Sequence, residues 1–339
     1  MKALFIGGTG TISMAIVRRL AEDPLWDVYL LNRGNRRAEL PEGVHQIIAD
    51  IHDEEDVAKK LEGMSFDTVC EFIGFVKEDV ERDYRLFKGK TRQYIYTSSA
   101  SAYHKPAASW KITEGTTLAN PYWLYSRNKI ACEEFLMEKY RSEGFPVTIV
   151  RPSHTYDERS VPLGVHGNKG FWQVIKRMTE GKPVLIQGDG SSIWTLTFNT
   201  DFAIGYTALM GNRHAIGEAF QITGDETLTW DQIYQTIADA LGVELKPYHV
   251  SSDFLMDAGK KYGIDFSGLT GDKSVSVVFD NSKLKALAPQ MTTNVRFEHG
   301  VRIALDYVLS HPECQVEDPQ FDEFCDKVIA ALEEAKKLL

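Results

Sequence analysis

The feature that most restricts the fold of this chain is a glycine-rich turn that directly follows a short apolar run. Residues 2–6 read Lys-Ala-Leu-Phe-Ile, which is typical of a buried parallel strand. The turn occupies residues 7–13, and apolar residues then recur at helical spacing over 12–20. A second apolar run at 26–31 predicts the next strand. The chain therefore begins with a strand, a glycine-rich turn, a helix and a second strand.

A turn of this kind can hold the phosphates of a dinucleotide. Glycine lets the backbone turn tightly and approach a pyrophosphate, whose charge is stabilised by the free amides and the dipole of the helix N-terminus. Here Gly7 and Gly10 form the turn, Thr11 and Ile12 open the helix, and Ser13 is small enough to keep the helix close to the sheet. A tight turn alone would also explain the glycines, but their place between a strand and a helix favours cofactor binding.

The residues after the second strand indicate which dinucleotide the turn would hold. An NAD site usually places an acidic side chain at the end of this strand, where it accepts hydrogen bonds from the ribose hydroxyls. Asn32 occupies that place here, and Arg33, Arg36 and Arg37 follow, which are suited to a 2′-phosphate. We therefore favour NADP over NAD, while a solvated basic loop is the alternative interpretation.

The composition limits the classes of function. The 339 residues are 43% hydrophobic and 25% charged, which allows a large core in one or two domains. The apolar runs are too short to span a membrane and no signal-peptide pattern precedes the first strand, so we expect a cytoplasmic protein without a membrane partner. The net charge of −10 disfavours nucleic acid as a partner. Four cysteines without paired spacing, and the lack of clustered ligands, predict neither disulfides nor a metal site.

Strands and helices alternate over the first 150 or so residues. Apolar runs at 46–50, 66–74 and 93–99 predict further strands. Alternation of this kind is typical of the α/β class, and it predicts a doubly wound parallel Rossmann sheet whose ligands lie beyond the carboxyl ends of the strands. Gly74 and Ser99 fall at such ends.

A tyrosine and a lysine four residues apart form the next informative pattern. Tyr125 and Lys129 follow Pro121, which suits a helix start, so the two side chains share one helix face. A lysine ammonium near a phenol favours the phenolate and lowers its pKa, which makes a tyrosine usable as an acid or base. Tyr84 and Lys88 have the same spacing, and we interpret that pair as part of a surface helix.

Taken in order, the motifs of residues 1–225 resemble the extended short-chain dehydrogenase/reductase family, often called the NAD-dependent epimerase/dehydratase family. The motifs that carry the resemblance are Gly7-x-x-Gly10, Asp50-Ile51, Thr97-Ser98-Ser99-Ala100-Ser101-Ala102-Tyr103, Tyr125-x-x-x-Lys129, Arg151-Pro152-Ser153-His154-Thr155-Tyr156 and Gly188-Asp189-Gly190. The resemblance implies an NAD(P)-dependent oxidoreductase or isomerase with a small-molecule hydroxyl or carbonyl substrate. It also implies a homodimer.

The resemblance further assigns roles to individual residues. It makes Tyr125 the catalytic acid/base, Lys129 the residue that lowers the pKa of Tyr125 and holds the nicotinamide ribose, and Ser99 the donor to the substrate oxygen. Asp50 would contact the adenine and Ser153 would lie near the carboxamide, although Ser153 is also explained as a turn residue. The residues expected to bind the cofactor are Gly7, Gly10, Thr11, Ile12, Asn32, Arg33, Arg36, Asp50, Ile51, Gly74, Lys129 and Ser153.

Two departures from the family pattern bear on the substrate. Members that dehydrate sugars carry an acidic pair directly after the catalytic hydroxyl, whereas Ala100 and Ser101 follow Ser99 here, which disfavours dehydration. Members that act on nucleotide sugars carry an arginine for the diphosphate where this chain has Trp194, which can stack on a ring but cannot neutralise a phosphate. Ser101, His154 and Trp194 are the candidate substrate residues, with ordinary packing as the alternative for Trp194 and a loop position for His154.

Several functions stay open. The favoured one is a sugar or nucleotide-sugar-like epimerase, which removes a hydroxyl proton by tyrosine and transfers hydride to nicotinamide. One alternative is an NADP-dependent dehydrogenase or reductase that acts on a non-nucleotide substrate. Another is a non-catalytic, cofactor-sensing RNA- or protein-binding protein. The turn at 32–34 and the missing arginine also resemble an atypical branch that includes chloroplast stem-loop RNA-binding proteins, but those relatives generally lack the complete Ser/Tyr/Lys set, which is present here.

The expected division of the chain has two parts. Residues 1–165, with returning segments near 184–225, would form the NAD(P)-binding domain. Residues 166–183 and 226–339 would form a smaller C-terminal α/β substrate lobe with terminal helices. Within that lobe, Thr229 and Gln232 have the spacing of a capping box and predict the start of a helix.

Overall fold

The structure is a computed structural model that describes residues 1–34 and 39–339. Within these residues the strands are β1 Lys2–Ile6, β2 Asp27–Asn32, β3 His45–Ile48, β4 Thr68–Glu71, β5 Tyr94–Thr97, β6 Val147–Pro152, β7 His154–Tyr156, β8 Val184–Gln187, β9 Ile193–Phe198, β10 Ala219–Ile222, β11 Thr227–Thr229 and β12 Pro247–Val250. The α-helices of the same residues are α1 Thr11–Ala21, α2 Glu54–Lys60, α3 Lys77–Phe87, α4 Leu124–Glu143, α5 Trp172–Thr179, α6 Asn199–Leu209, α7 Trp230–Leu241, α8 Ser252–Tyr262, α9 Ser282–Leu287, α10 Phe297–Ser310 and α11 Pro319–Lys336.

The central element is a parallel sheet, whose strand order in the described residues is β10-β6-β5-β4-β1-β2-β3. Every pairing within it is parallel. The chain builds outward from β1 to β3 and then returns to the other side of β1 at β4, so the strand order reverses between β1 and β4. Ligands of open α/β sheets bind at such a switch point, beyond the carboxyl ends of the strands. The predicted doubly wound sheet is confirmed.

Helices cover both faces of this sheet. On one face α1 packs against α6, where Ile16, Val17 and Tyr206 are fully buried. On the other face α3 packs against α4, where Val80 and Leu136 are fully buried. The strands between these layers are apolar and buried along most of their length, as parallel strands covered on both faces must be. The helix α4 therefore lies directly on the sheet, and its first turn lies at the cleft.

A second core lies in the C-terminal half, around Trp194 and Trp230. The predicted capping box is present, because Thr229 accepts a hydrogen bond from the backbone amide of Gln232 and the Gln232 side chain accepts one from the amide of Thr229. Of the segments near 184–225 that we expect in the NAD(P)-binding domain, β10 pairs with β6 in the central sheet, whereas β8 pairs with β12 in a separate two-stranded sheet. Both β8 and β10 are short and apolar, and such a pattern does not indicate which strand it will pair with. The sequence therefore does not distinguish the two.

None of the helices in the described ranges is long and apolar enough to cross a lipid bilayer. The terminal helix α11 instead buries Phe321, Phe324 and Cys325 in the core of the lobe. Arg177 of α5 holds it there, since the guanidinium lies 2.7 Å from a carboxylate oxygen of Asp322.

Candidate active site

A cleft of about 660 Å³ opens beyond the carboxyl ends of β1, β4 and β5. The predicted cofactor residues that line it are Gly7, Gly10, Thr11, Ile12, Asn32, Arg33, Asp50, Ile51 and Lys129. Tyr125 lines the same cleft. Gly74 and Ser153 are not among its lining residues: the carbonyl of Gly74 holds the Lys129 ammonium, and the hydroxyl of Ser153 donates to the carbonyl of Thr195. Arg36 lies outside the described residues, as does Arg37.

The glycine-rich turn is shaped by one backbone conformation and one serine. Gly7 has a φ of 83°, which residues with a side chain rarely adopt, and a Cβ there would overlap Cγ2 of Ile73. The Ser13 hydroxyl accepts a hydrogen bond from the amide of Gly10 at 3.0 Å and donates one to the carbonyl of Gly7 at 2.9 Å. Ser13 thus ties the turn to the start of α1, which leaves a concave backbone surface that fits a pyrophosphate.

The end of β2 offers a hydrogen-bond donor to the cleft. The side-chain oxygen of Asn32 accepts hydrogen bonds from the amide of Gly34 at 2.9 Å and from Gln46 at 3.0 Å. Its buried Nδ2 has no partner among the described residues. A buried unpaired donor is costly, and an oxygen of a ribose or its phosphate would satisfy it. This orphaned donor and the glycine cradle together fit a nicotinamide dinucleotide.

Lys129 is buried and held by backbone carbonyls. Its ammonium donates to the carbonyl oxygens of Gly74 and Thr97, both at 2.8 Å. Burial lowers the pKa of Lys129 to about 8, although several anionic neighbours oppose the shift. Because Thr97 is the last residue of β5 and Gly74 lies in the loop after β4, the two carbonyls fix the ammonium at the floor of the cleft. It lies 5.8 Å from the centroid of the Tyr125 ring.

Tyr125 lies in the first turn of α4 and packs beside Trp123, with 4.8 Å between ring centroids. The pKa of Tyr125 is raised, first because burial disfavours the phenolate and further because the Asp272 carboxylate is near, while a hydrogen bond with Ser99 lowers it. Burial of the phenol therefore sets the net direction of this shift. The role expected for Lys129, whose ammonium favours the phenolate, stays a prediction.

The Ser99 hydroxyl is one end of a series of hydrogen-bonded polar groups whose other members are buried. Its hydroxyl lies 2.9 Å from that of Ser101, which in turn accepts a hydrogen bond from Ser126 at 2.8 Å. The side-chain amide of Asn120 donates to the Ser101 carbonyl at 2.7 Å and to the Gly271 carbonyl at 2.6 Å. Ser101, a predicted substrate residue, is therefore bonded to protein groups on both sides of its hydroxyl.

The other two predicted substrate residues, His154 and Trp194, lie against each other in the lobe and do not line the cleft. Trp194 is 2% exposed and stacks on Trp230 with 5.2 Å between ring centroids. Its indole N–H lies 3.1 Å from Nδ1 of His154, so it donates there and leaves the His154 proton on Nε2. Burial, together with the nearby Lys273 and His166, lowers the pKa of His154 well below its ordinary value. His154 is therefore a neutral donor, and Trp194 orients it.

Sequence reasoning missed several residues of the site. Asn120 and Ser126 flank the start of α4 and could have been noticed as polar residues beside Tyr125. Asp272 and Lys273 had no local signal, because only the fold brings them to a site whose other residues precede them by more than 70 positions. A further contact joins the two regions at Gly271, where a Cβ would overlap Cβ of Trp123.

Comparison with known proteins agrees with this geometry. Residues 3–223 match the model of the NAD dependent epimerase/dehydratase family. The chain is 24% identical over 289 residues to a 2'-dehydrokanamycin reductase of Streptomyces kanamyceticus, which covers 85% of this chain and 79% of that protein. It is 28% identical over 281 residues to the chloroplast stem-loop binding protein of 41 kDa b of Arabidopsis thaliana, covering 78% of this chain and 70% of that protein.

Among solved structures, the UDP-glucuronic acid 4-epimerase of Bacillus cereus in complex with NAD has the same fold. The TM-score is 0.71 at 20% sequence identity, and the match covers 91% of this chain and 99% of that one. The family model spans well over half of the sequence and includes the glycine turn, Ser99, Tyr125 and Lys129. This protein therefore belongs to the NAD dependent epimerase/dehydratase family and is an NAD-dependent enzyme of the extended short-chain dehydrogenase/reductase type.

Proposed function

We propose that this protein is an epimerase that inverts a hydroxyl-bearing carbon of a sugar or nucleotide-sugar-like substrate. One observation carries the proposal, namely the convergence of Ser99, Tyr125 and Lys129 beside a cleft that fits a dinucleotide. Three features support it: Ser99 is near enough to lower the pKa of Tyr125, the ammonium of Lys129 is held by two carbonyls, and it lies 5.8 Å from the centroid of the Tyr125 ring. These groups suffice to interconvert an alcohol and a carbonyl at a bound substrate.

In this mechanism Tyr125 is the group that moves the proton. Its phenolate accepts the proton of the substrate hydroxyl as the carbonyl forms, and its phenol gives the proton back when the alcohol is restored on the inverted carbon. Ser99 donates to the same substrate oxygen and holds it beside the phenol. Lys129 stabilises the phenolate and offers its remaining N–H to the ribose. Bound nicotinamide supplies a reversible hydride acceptor.

The preferred cofactor is a separate proposal. Asn32 presents an unpaired N–H where an acidic side chain would favour the 2′-hydroxyl of NAD, and the exposed Arg33 lines the same end of the cleft. Both features favour a 2′-phosphate, hence NADP. Binding of NAD without measurable affinity for NADP would overturn this preference alone.

A reductase that acts on a non-nucleotide substrate is the second candidate. Trp194 is buried and supplies no positive charge for a diphosphate, so the usual grip on a nucleotide sugar is absent at this position. The neutral N–H of His154 suits an uncharged oxygen instead. One relative, whose match covers 85% of this chain, is named 2'-dehydrokanamycin reductase. That name agrees with a reductase as the second candidate.

The deciding experiment begins with the nucleotide released from freshly purified, acid-denatured protein. Near-stoichiometric oxidised cofactor supports the epimerase, because inversion returns the hydride to the substrate. Little retained cofactor, with rapid exchange and turnover of NADPH, supports the reductase. Absence of affinity for either nucleotide would overturn the enzyme proposal and favour a binding protein.

Activity is then measured on UDP-glucose and UDP-glucuronic acid, and on uncharged sugar ketones with NADPH. Tyr125→Phe should lower kcat by roughly 10²–10⁴-fold while the nucleotide stays bound, because a positioned acid/base contributes a factor of this size. Tyr122→Phe is the matched control, since Tyr122 lies in the same segment but is 52% exposed. Full activity of Tyr125→Phe would contradict the mechanism.

A further inference from the structure

The hydrogen bonds that link Asn120, Ser126, Ser101 and Ser99 have a definite direction from donor to acceptor. Asn120 fixes that direction, because its side-chain oxygen accepts from the amide of Tyr122 at 3.1 Å while its Nδ2 faces the carbonyls of Ser101 and Gly271. Two carbonyls can only accept, so the amide cannot be turned round. The same Nδ2 lies 3.3 Å from the Ser126 hydroxyl. Its two hydrogens serve the two carbonyls and an amide nitrogen cannot accept, so the proton of Ser126 is left for Ser101.

The direction is passed along the serine hydroxyls. Ser126 donates to Ser101 at 2.8 Å. Either hydroxyl of the Ser101–Ser99 pair, 2.9 Å apart, could be the donor, but among the described residues only Ser99 is left to accept the proton of the buried Ser101, so we assign Ser101 as the donor. Ser99 also accepts from the backbone amide of Ser101 at 3.2 Å. Both lone pairs of the Ser99 hydroxyl are thus occupied by donors, and its proton is left to point away from the chain.

Burial keeps water from reversing this order. Ser101 is 3% exposed, Ser126 is fully buried and Asn120 is 2% exposed. Ser99 itself is half-buried at the open end. A chain of hydrogen bonds in a dry environment polarises its members in one direction, so that the last hydroxyl is a stronger donor than an isolated serine.

We infer that Asn120, Ser126 and Ser101 are positioning residues that hold Ser99 as a donor only, aimed at Tyr125 and at the substrate oxygen beside it. The inference rests on the proposed function and goes beyond it by assigning a role to three residues that do not touch substrate. It also assigns Ser101 a place behind the catalytic hydroxyl rather than against the substrate. Because an asparagine side-chain amide that donates to carbonyls cannot take up a proton, the chain orients Ser99 but conducts no proton to solvent.

The test follows the ionisation of Tyr125 by ultraviolet difference absorbance of the full-length protein, with Tyr125→Phe as the reference. The titratable groups that act on this phenol are Asp272, Cys132 and Tyr96, and the Lys129 ammonium lies 5.8 Å from its ring centroid; all four stay in place in every variant. Ser126→Ala and Ser101→Ala should each raise the pKa of Tyr125 by about one unit, since each weakens a hydrogen bond to the phenolate. Ser142→Ala, at an exposed serine near the end of the same helix, should leave it unchanged.

The double variant gives the sharper result. In a chain whose members act in series, Ser101→Ala already disconnects Ser126, so the double variant should shift Tyr125 no further than Ser101→Ala alone. Additive shifts, or no shift in either single variant, would overturn the inference. The titration requires no turnover, so that outcome would leave the proposed function standing, whereas loss of cofactor binding would overturn the function without altering the titration.

Discussion

The carboxylate of Glu133 lies 2.6 Å from the guanidinium of Arg151 in the protein interior. Glu133 follows Lys129 by one helical turn on α4, and Arg151 lies near the end of β6. Ser98, which lines the cleft, donates a further hydrogen bond to the same carboxylate. The helix that carries Tyr125 and Lys129 is thus attached to the sheet by a buried ion pair one helical turn after Lys129.

Removing one charge of this pair should be costly. Glu133→Gln leaves the Arg151 guanidinium buried without a counter-charge, and we expect the free energy of unfolding to fall by about 3–5 kcal/mol. Glu143→Gln is the control, because Glu143 pairs with Lys88 and Lys139 at the surface, where water screens the charges, and its loss should lower the free energy of unfolding far less. Urea unfolding of both variants measures the difference, and equal losses would contradict a dominant role for the buried pair.

Two glycines with positive φ allow the cost of backbone strain to be separated from the cost of a steric overlap with a neighbouring side chain. Gly7 and Gly43 have φ angles of 83° and 80°, so alanine should cost each about 1–2 kcal/mol. Only at Gly7 would the new methyl overlap Ile73, since nothing lies within 4 Å at Gly43. We expect Gly7→Ala to lose affinity for NAD and NADP, while Gly43→Ala retains it. Calorimetric titration with each nucleotide measures this, and tight binding by Gly7→Ala would refute the assignment of the turn.

Lys129 should make stability depend on pH above neutrality. Burial lowers the pKa of Lys129 from 10.5 to about 8, so between these values the unfolded chain binds a proton that the folded chain does not. The stability that Lys129 contributes is therefore fully present above about pH 10.5 and is lost as the pH falls through about 8. Lys129→Met should remove this increase of the free energy of unfolding with pH. Denaturant unfolding at a series of pH values between about 8 and 10.5 measures it.

The control for that measurement is Lys139→Met, at a lysine on the same helix that pairs with Glu143 near the surface. Lys273 also has a pKa lowered to about 8 by burial, but it is common to both variants and cancels in the comparison. If Lys129→Met and the wild type show the same dependence on pH, the burial of a charged Lys129 is refuted.

Trp194 gives a prediction about the lobe. Trp194→Phe keeps a ring against Trp230 but removes the N–H that Nδ1 of His154 accepts. We expect the side-chain nitrogen resonances of His154 to change, because the indole bond that fixes the tautomer is lost. Trp230→Phe removes a different hydrogen bond, to the Lys273 carbonyl, and should leave those resonances near their original positions. Identical spectra for Trp194→Phe and the wild type would exclude an orienting role.

The sequence predicted those features that are encoded locally. A glycine turn between β1 and α1, and the four-residue spacing of Tyr125 and Lys129, depend on neighbouring residues, so reading the chain in order located both. The alternation of strands and helices was enough for the parallel sheet because few topologies satisfy it. The partner of β8 was not predictable, since its four residues would suit either sheet.

The net direction of the Tyr125 pKa shift was not predictable for a related reason. Helical spacing predicts that Lys129 and Tyr125 share a face, but it does not reveal that Gly74 and Thr97 hold the ammonium or how deeply the phenol is buried. Asp272, and the hydrogen bond from Asn120 to Gly271, depend on contacts between regions far apart in the chain. Such contacts leave no periodic pattern for the sequence to display.

The close approach of Gly271 to Trp123 has a consequence for how this scaffold can diversify. Two residues before Tyr125, the backbone of the lobe touches the start of α4 so closely that any side chain at Gly271 would displace it. Residues of the lobe that do not touch α4 can change without moving the acid/base. At Gly271 even a methyl group would move the tyrosine itself, so new specificities on this fold should arise around that glycine and leave it in place.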